Sequence, residues 1–219
     1  MSAYLRKRGR LTPAQARALS QLGPDVIIAP AGDGPLDLRE LFGREAPVGL
    51  EIGFGSGHAL LDWAEAAPDW NLLGIEVYEP GIGSLLKGMN ERGVEHLKVI
   101  AEDAVEAVSR LIPPGALSEV RVFFPDPWPK KRHHKRRLIN PAFARLLAER
   151  MRSGARLRLA TDWQPYAEQM LAVLNAEDAF ENEAGEGFSP RFSGRNITRF
   201  EARGLRLGNP VADLCYLKA

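Results

Sequence analysis

The chain has 219 residues, 45% hydrophobic and 26% charged, with 29 Lys and Arg against 28 Asp and Glu for a formal net charge of +1. That length supports one sizeable core, the composition is ordinary for a globular protein, and the near-balance of charge means that any anion-binding surface must be local. No apolar run approaches the roughly 18–20 residues of a membrane span, the basic start MSAYLRKRGRL lacks the apolar core of a secretory signal, and the single cysteine, Cys215, rules out an internal disulfide.

Residues 1–35 read as a basic arm. RKRGR (6–10) is followed by a short helix in TPAQARALSQLG (12–23), with Thr12 as N-cap and Pro13 at the first helical position. APAGDGP (29–35) is a loop by its glycines and prolines. Residues 36–219 read as one α/β domain. VGLEIGF (48–54) is an apolar strand before a glycine turn, and GHALLDWAEAA (57–67) has helical spacing. NLLGIEV (71–77) is a second strand, and residues 79–92 suit a helix that Gly93 ends. HLKVIAED (96–103) and VRVFFPD (120–126) are the third and fourth strands. INPAFARLLAERM (139–151) is a helix, ARLRLATD (155–162) a fifth strand and WQPYAEQMLAVLNA (163–176) a helix. EGFSPRFSGRNIT (186–198) reads as a loop and VADLCYLK (211–218) as a late strand, in which Cys215 is a buried small hydrophobe rather than a nucleophile. Strands alternating with helices imply a mostly parallel sheet with helices on both faces.

The turn after the first strand is LEIGFGSGH, with Gly53, Gly55 and Gly57. This G-x-G-x-G spacing differs from the dinucleotide fingerprint and disfavours a nicotinamide-dependent oxidoreductase. Acids then fall at the ends of successive strands: Glu51, Glu76, Asp103 and Asp126. A carboxylate at Glu76 can accept from both ribose hydroxyls, and one at Asp103 from an adenine amino group. Acids around the turn disfavour a polyphosphate and favour a nucleoside carrying positive charge. S-adenosylmethionine, a sulfonium without phosphate, is such a ligand.

FFPDPWPKKRHHKRR (123–137) places Asp126 beside the densest basic block of the chain, six Lys or Arg and two His in residues 130–137. Prolines 125, 127 and 129 forbid a helix there and predict a stiff, extended lip. Six like charges in eight residues call for a polyanion. His133 and His134 suit backbone or base contacts, since no further Cys or His cluster completes a metal site; His58 and His96 are read as structural. A donor site beside a phosphate-binding lip implies methyl transfer onto nucleic acid. Guanine N7 has an exposed lone pair and no proton to lose, so Asp126 would hold the base and stabilise its developing charge rather than take a proton.

These segments resemble the bacterial tRNA (guanine-N7-)-methyltransferases. The likeness rests on RGRLTPAQARAL (8–19), LEIGFGSG (50–57), FFPDPWPKKRHHKRR (123–137), TDWQPYAEQM (161–170) and TRFEARGLRLG (198–208). The resemblance implies a Rossmann-like, class I S-adenosylmethionine-dependent methyltransferase fold, a soluble cytoplasmic enzyme without a metal, and tRNA as partner, methylated on a guanosine of the variable loop. It implies that Glu51, Gly53, Glu76, Asp103 and Asp126 contact the donor and that Asp126 is catalytic. It also implies substrate contacts at Lys130, Asp162, Thr198, Arg199, Phe200 and Glu201, and RNA contacts at Arg132, His133, His134, Lys135, Arg136 and Arg137. Arg199 stands where the family more often has Lys, which keeps charge and changes hydrogen-bond geometry. Two other readings compete: an amino-methyltransferase of adenine or cytosine, whose D/N-P-P-Y/W motif PDPW resembles, and a non-catalytic RNA-binding module. Monomer and homodimer both remain open.

Overall fold

The computed structural model describes residues 9–28, 34–195, 201 and 210–219. The chain divides into two compact units between Pro113 and Pro114.

The first unit contains α1 (Pro13–Val26), α2 (Leu38–Phe42), β1 (Val48–Ile52), α3 (His58–Ala66), β2 (Asn71–Ile75), α4 (Glu79–Arg92), β3 (Leu97–Ile100) and α5 (Ala104–Leu111). Its strands lie in the order β3-β2-β1, all parallel, with Glu51 opposite Gly74. Both β1 and β2 are buried along their whole length, as strands covered on two sides must be. Leu60, Leu61, Trp63, Leu72, Leu85, Leu86, Met89 and Val99 belong to one apolar core in this unit.

The helix expected near the N-terminus is α1, begun by a full capping box in which the Thr12 and Gln15 side chains each bond the other's backbone N–H. It packs on α4. Gln15 reaches across to donate to Ser84 Oγ at 2.9 Å and to the Pro80 carbonyl at 3.1 Å. Glycines inside α4 make such approaches possible: a Cβ at Gly83 would sit 2.9 Å from Gln15 Cβ, and one at Gly88 2.4 Å from Leu61 Cδ1. Past α1 the chain forms a parallel bridge from Ile27 to Val99, and Ile28 N–H donates to the Val99 carbonyl at 2.8 Å. Residues 27–28 thereby lie along the outer edge of β3.

The second unit contains β4 (Leu117–Phe123), a 3-10 helix (Lys131–Arg136), α6 (Pro141–Arg150), β5 (Met151–Thr161), α7 (Gln164–Asn175), β6 (Phe180–Asn182) and β7 (Ala212–Lys218). Strand order is β4-β5-β7-β6. β4 and β5 are parallel, while β7 runs antiparallel to both β5 and β6. The sequence alternation predicts the parallel strands and does not predict this antiparallel edge, because a strand as short as β6 carries no period of its own.

Candidate functional site

In the first unit the glycine turn follows β1 directly. Gly53, Gly55 and Gly57 have φ of 72°, 57° and 80°, a region closed to most side chains. A Cβ at Gly53 or Gly55 would meet open space, whereas one at Gly57 would lie 2.5 Å from Leu85 Cδ1. The first two glycines thus border an open cradle and the third lets the turn pack.

Glu76, the residue after β2, is tied into this turn. Its Oε2 accepts from Gly55 N–H at 2.9 Å, and its Oε1 from Val77 and Tyr78 N–H at 2.7 and 2.9 Å. Three backbone donors hold the carboxylate in one orientation, and an ionised carboxylate has about four acceptor positions, so acceptor capacity remains on Oε2. Glu51 is 3% exposed on β1. Asp103 is the N-cap of α5, and its Oδ1 takes the Val105 and Glu106 N–H bonds at 3.0 and 3.3 Å. Its second oxygen is left to other partners.

The open cradle at Gly53 and Gly55, with Glu76 bonded to the turn itself, fits a nucleoside with a cationic tail better than a phosphate. α4 closes against the same turn: a Cβ on Gly81 would stand 2.2 Å from the Gly55 carbonyl oxygen. Gly81→Ala is therefore expected to push helix and turn apart, at a cost of about 1–3 kcal/mol in stability. Thermal melts with and without S-adenosylmethionine check this: both the melting temperature and the ligand-induced shift should fall.

In the second unit the segment after β4 is not the extended lip expected from its prolines. Phe124 and Trp128 take left-handed φ of 52° and 44°, so the backbone leaves the extended form on both sides of Pro125–Asp126–Pro127. Such conformations at aromatic residues cost on the order of 1–3 kcal/mol each and persist only where the surroundings impose them. Asp126 is exposed, and no described residue bonds its carboxylate. Lys130 is exposed at the N-cap of the 3-10 helix.

The basic run itself forms that helix, and it has two sides. Lys131, Arg132, Lys135 and Arg136 are exposed, and His133 and His134 are half-buried. The helix folds back on Trp128: the Arg136 guanidinium lies 4.9 Å from the Trp128 ring centroid, and His133 meets it edge-on at 5.8 Å. Arg137 differs from its neighbours in burial. It is 2% exposed. Its Nε donates to the Pro127 carbonyl at 2.8 Å and its Nη1 to Gln169 Oε1 at 2.6 Å. Burial pushes its guanidinium pKa down.

Asp162 follows β5 and is half-buried; the residue capping α7 is Trp163, so the aspartate is not spent as a helix cap. Thr198, Arg199 and Phe200 lie outside the described residues. Glu201 is 1% exposed, with Oε2 on Arg195 Nη1 and Oε1 on Arg191 Nε at 3.3 Å. Its carboxylate is thus occupied by the protein's own arginines. Sequence reasoning passed over Arg195 and Asp213, which pair at 2.8 Å in the interior. The one signal was an aspartate in the middle of the apolar run VADLCYL. Cys215 is buried, and its thiol donates to Glu183 Oε2 at 2.6 Å; burial and that carboxylate push its pKa up to about 12, which removes it as a nucleophile. No helix among the described residues is long and apolar enough to cross a membrane.

Residues 45–214 match a family model described as "Putative methyltransferase". The chain is 49% identical over 216 residues to the tRNA (guanine-N(7)-)-methyltransferase of Paraburkholderia xenovorans (strain LB400), covering 99% of this chain and 82% of that one. It is 45% identical over 219 residues to the protein of the same name from Pseudomonas entomophila (strain L48), covering 100% and 91%. Among solved structures, the 16S rRNA methyltransferase KamB superposes with a TM-score of 0.58 at 16% identity, covering all of both chains. SMU.1697c of Streptococcus mutans, solved with SAH, superposes at 0.54 with 11% identity over 80% of this chain and 90% of that one. These structures share the methyltransferase fold.

Proposed function

The chain belongs to the bacterial tRNA (guanine-N(7)-)-methyltransferase family, and we propose that it transfers a methyl group from S-adenosylmethionine to N7 of a guanosine in the variable loop of tRNA, in the cytoplasm. The observation that carries this reading is the composition of one short segment: a carboxylate that no described residue engages, between the left-handed residues Phe124 and Trp128, followed within five residues by a helix exposing four cations.

The donor supplies an electrophilic methyl group on a sulfonium. The first unit's Glu76 would accept from the ribose hydroxyls, Asp103 Oδ2 from the adenine amino group, and Glu51 would favour the donor's positive charge, with Gly53 letting the backbone come close. In the second unit Asp126 accepts from guanine N1–H and N2–H₂ and so turns N7 toward attack. N7 carries no proton, so no side chain is needed as a base. The base becomes cationic as the bond forms, and a fixed carboxylate stabilises that charge more in the transition state than before it. Lys130 and Asp162, with Thr198, Arg199 and Phe200, would contact the substrate nucleoside. Lys131, Arg132, Lys135 and Arg136 would grip phosphates, and His133 and His134 the adjacent backbone.

The test is nucleoside mass spectrometry after incubation with S-adenosylmethionine and unmodified tRNA. 7-Methylguanosine is expected. N6-methyladenosine, or no product from a competent tRNA, would sink the reading.

A further inference from the structure

On the methyl-transfer reading Asp126 must be held at a fixed place, yet no described residue bonds its carboxylate. The two flanks of its turn are held instead, each by a buried arginine. We propose that Arg195 and Arg137 are positioning residues for Asp126, clamping the Phe124–Trp128 turn in its left-handed form.

On the upstream flank, the Arg195 guanidinium carbon lies 5.3 Å from the Phe124 ring centroid and 5.7 Å from that of Phe123. Phe124 N–H in turn donates to the Ala160 carbonyl at 2.7 Å. Arg195 is 1% exposed and has little freedom. Its Nη2 donates to Asp213 Oδ2 at 2.8 Å and Oδ1 at 3.1 Å, its Nε to Oδ1 at 3.3 Å, and its Nη1 to Glu201. A fork held on three sides presents a flat face to the aromatic ring that fixes the entry to the turn.

The segment carrying Arg195 is itself pinned. Ser189 N–H donates to the Asp213 carbonyl at 2.8 Å. The Phe192 ring is packed by Arg158 at 4.0 Å and Arg121 at 5.0 Å, residues of β5 and β4. The clamp is therefore built off the sheet rather than off a free loop.

On the downstream flank, Arg137 Nε holds the Pro127 carbonyl, one residue past Asp126, at 2.8 Å. The guanidinium lies 4.8 Å from the Tyr166 ring centroid, and its Nη1 bonds Gln169. Tyr166 is fully buried and its hydroxyl accepts from Ile139 N–H at 3.0 Å, so α7 provides the fixed base of this second grip. The two arginines thus bracket Asp126 in sequence without bonding it. Arg137 also ties the end of the basic helix to α7, and Glu201 holds Arg195.

The experiment compares Arg195→Lys, Arg137→Lys and Phe124→Leu with wild type for kcat, KM and the salt dependence of tRNA binding. Lysine keeps the charge in both sites and loses the planar fork. Each variant should lose about 10- to 100-fold in kcat, with KM for tRNA and donor within about twofold, because displacement of a reacting group by about 1 Å suffices for that. Arg195→Lys combined with Phe124→Leu should lose no more than the worse single change, as expected of two members of one contact. The salt slope should stay at the wild-type value for all three. A lowered melting temperature with kcat unchanged would make the arginines merely structural. A shallower salt slope for Arg137→Lys or a raised KM for tRNA would make Arg137 a phosphate contact. Phe124→Leu removes no buried charge, so it carries the test if Arg195→Lys does not fold. Amide exchange at Phe124, Asp126 and Trp128 should speed up in the variants, a readout that stands even if wild type yields no 7-methylguanosine and the methyl-transfer reading falls.

Discussion

Asp126→Asn is expected to lower kcat by about 10²- to 10³-fold, the usual scale for losing one fixed group that stabilises transition-state charge, while tRNA affinity changes little. Asn keeps the size and one acceptor but loses the negative charge, so the experiment separates the two duties assigned to the carboxylate. If its part were only to hold guanine N1–H and N2–H₂, Asn would keep some of that function and KM would move with kcat. If its part is to stabilise the cation formed at N7, the loss falls on kcat alone. The side chain is exposed and bonded to no described residue, so the substitution should leave the melting temperature near wild type. Single-turnover methylation with a parallel binding titration measures both quantities. Loss of binding in step with turnover would make Asp126 an RNA-positioning residue.

The second large effect is on binding. Lys131, Arg132 and Lys135 are exposed on the 3-10 helix, and among the described residues none of them is paired with an acid. Replacing all three with Gln should flatten the plot of log affinity against log salt by about 2–3 units, since each phosphate contact contributes about 0.7–0.9 to that slope. Affinity at low salt should fall by more than tenfold on the same principle. Filter binding across a salt series checks it, and kcat at saturating tRNA should be nearly unchanged. An unaltered slope would return this face of the helix to ordinary solvated surface.

The parallel strands were legible as short apolar runs and the long helices by their apolar spacing. α4 occupies 79–92 as expected, and the glycines inside it are explained by what they touch, Gln15 and Leu61 among others. Glu76 was placed at the glycine turn by sequence, and there its carboxylate bonds Gly55 N–H. The short elements α2, α5 and β6 were missed because their identity comes from packing or from a cap such as Asp103 rather than from length. The buried arginines were illegible for a different reason. Charge in a basic run or in a Gly/Ser-rich loop reads as surface, and only the fold shows that Arg137 turns inward onto Tyr166 and that Arg195 sits between aromatic rings and carboxylates. The left-handed Phe124 and Trp128 defeat local rules as well, since residues before proline ordinarily stay extended.

The bridge from Ile27 to Val99 separates the N-terminal region into two parts with unlike tolerance. A strand edge with unpaired N–H and C=O groups is a template for another chain, and here residues 27–28 shield the outer side of β3. Trimming Arg6, Lys7 and Arg8 removes three positive charges, whereas Gly9 already lies close against Tyr78 and Pro80. A chain shortened beyond Ile28 would instead carry a naked edge and lose the packing of α1 on α4, and its failure would depend on protein concentration: sheets joining side to side between molecules, with soluble protein lost.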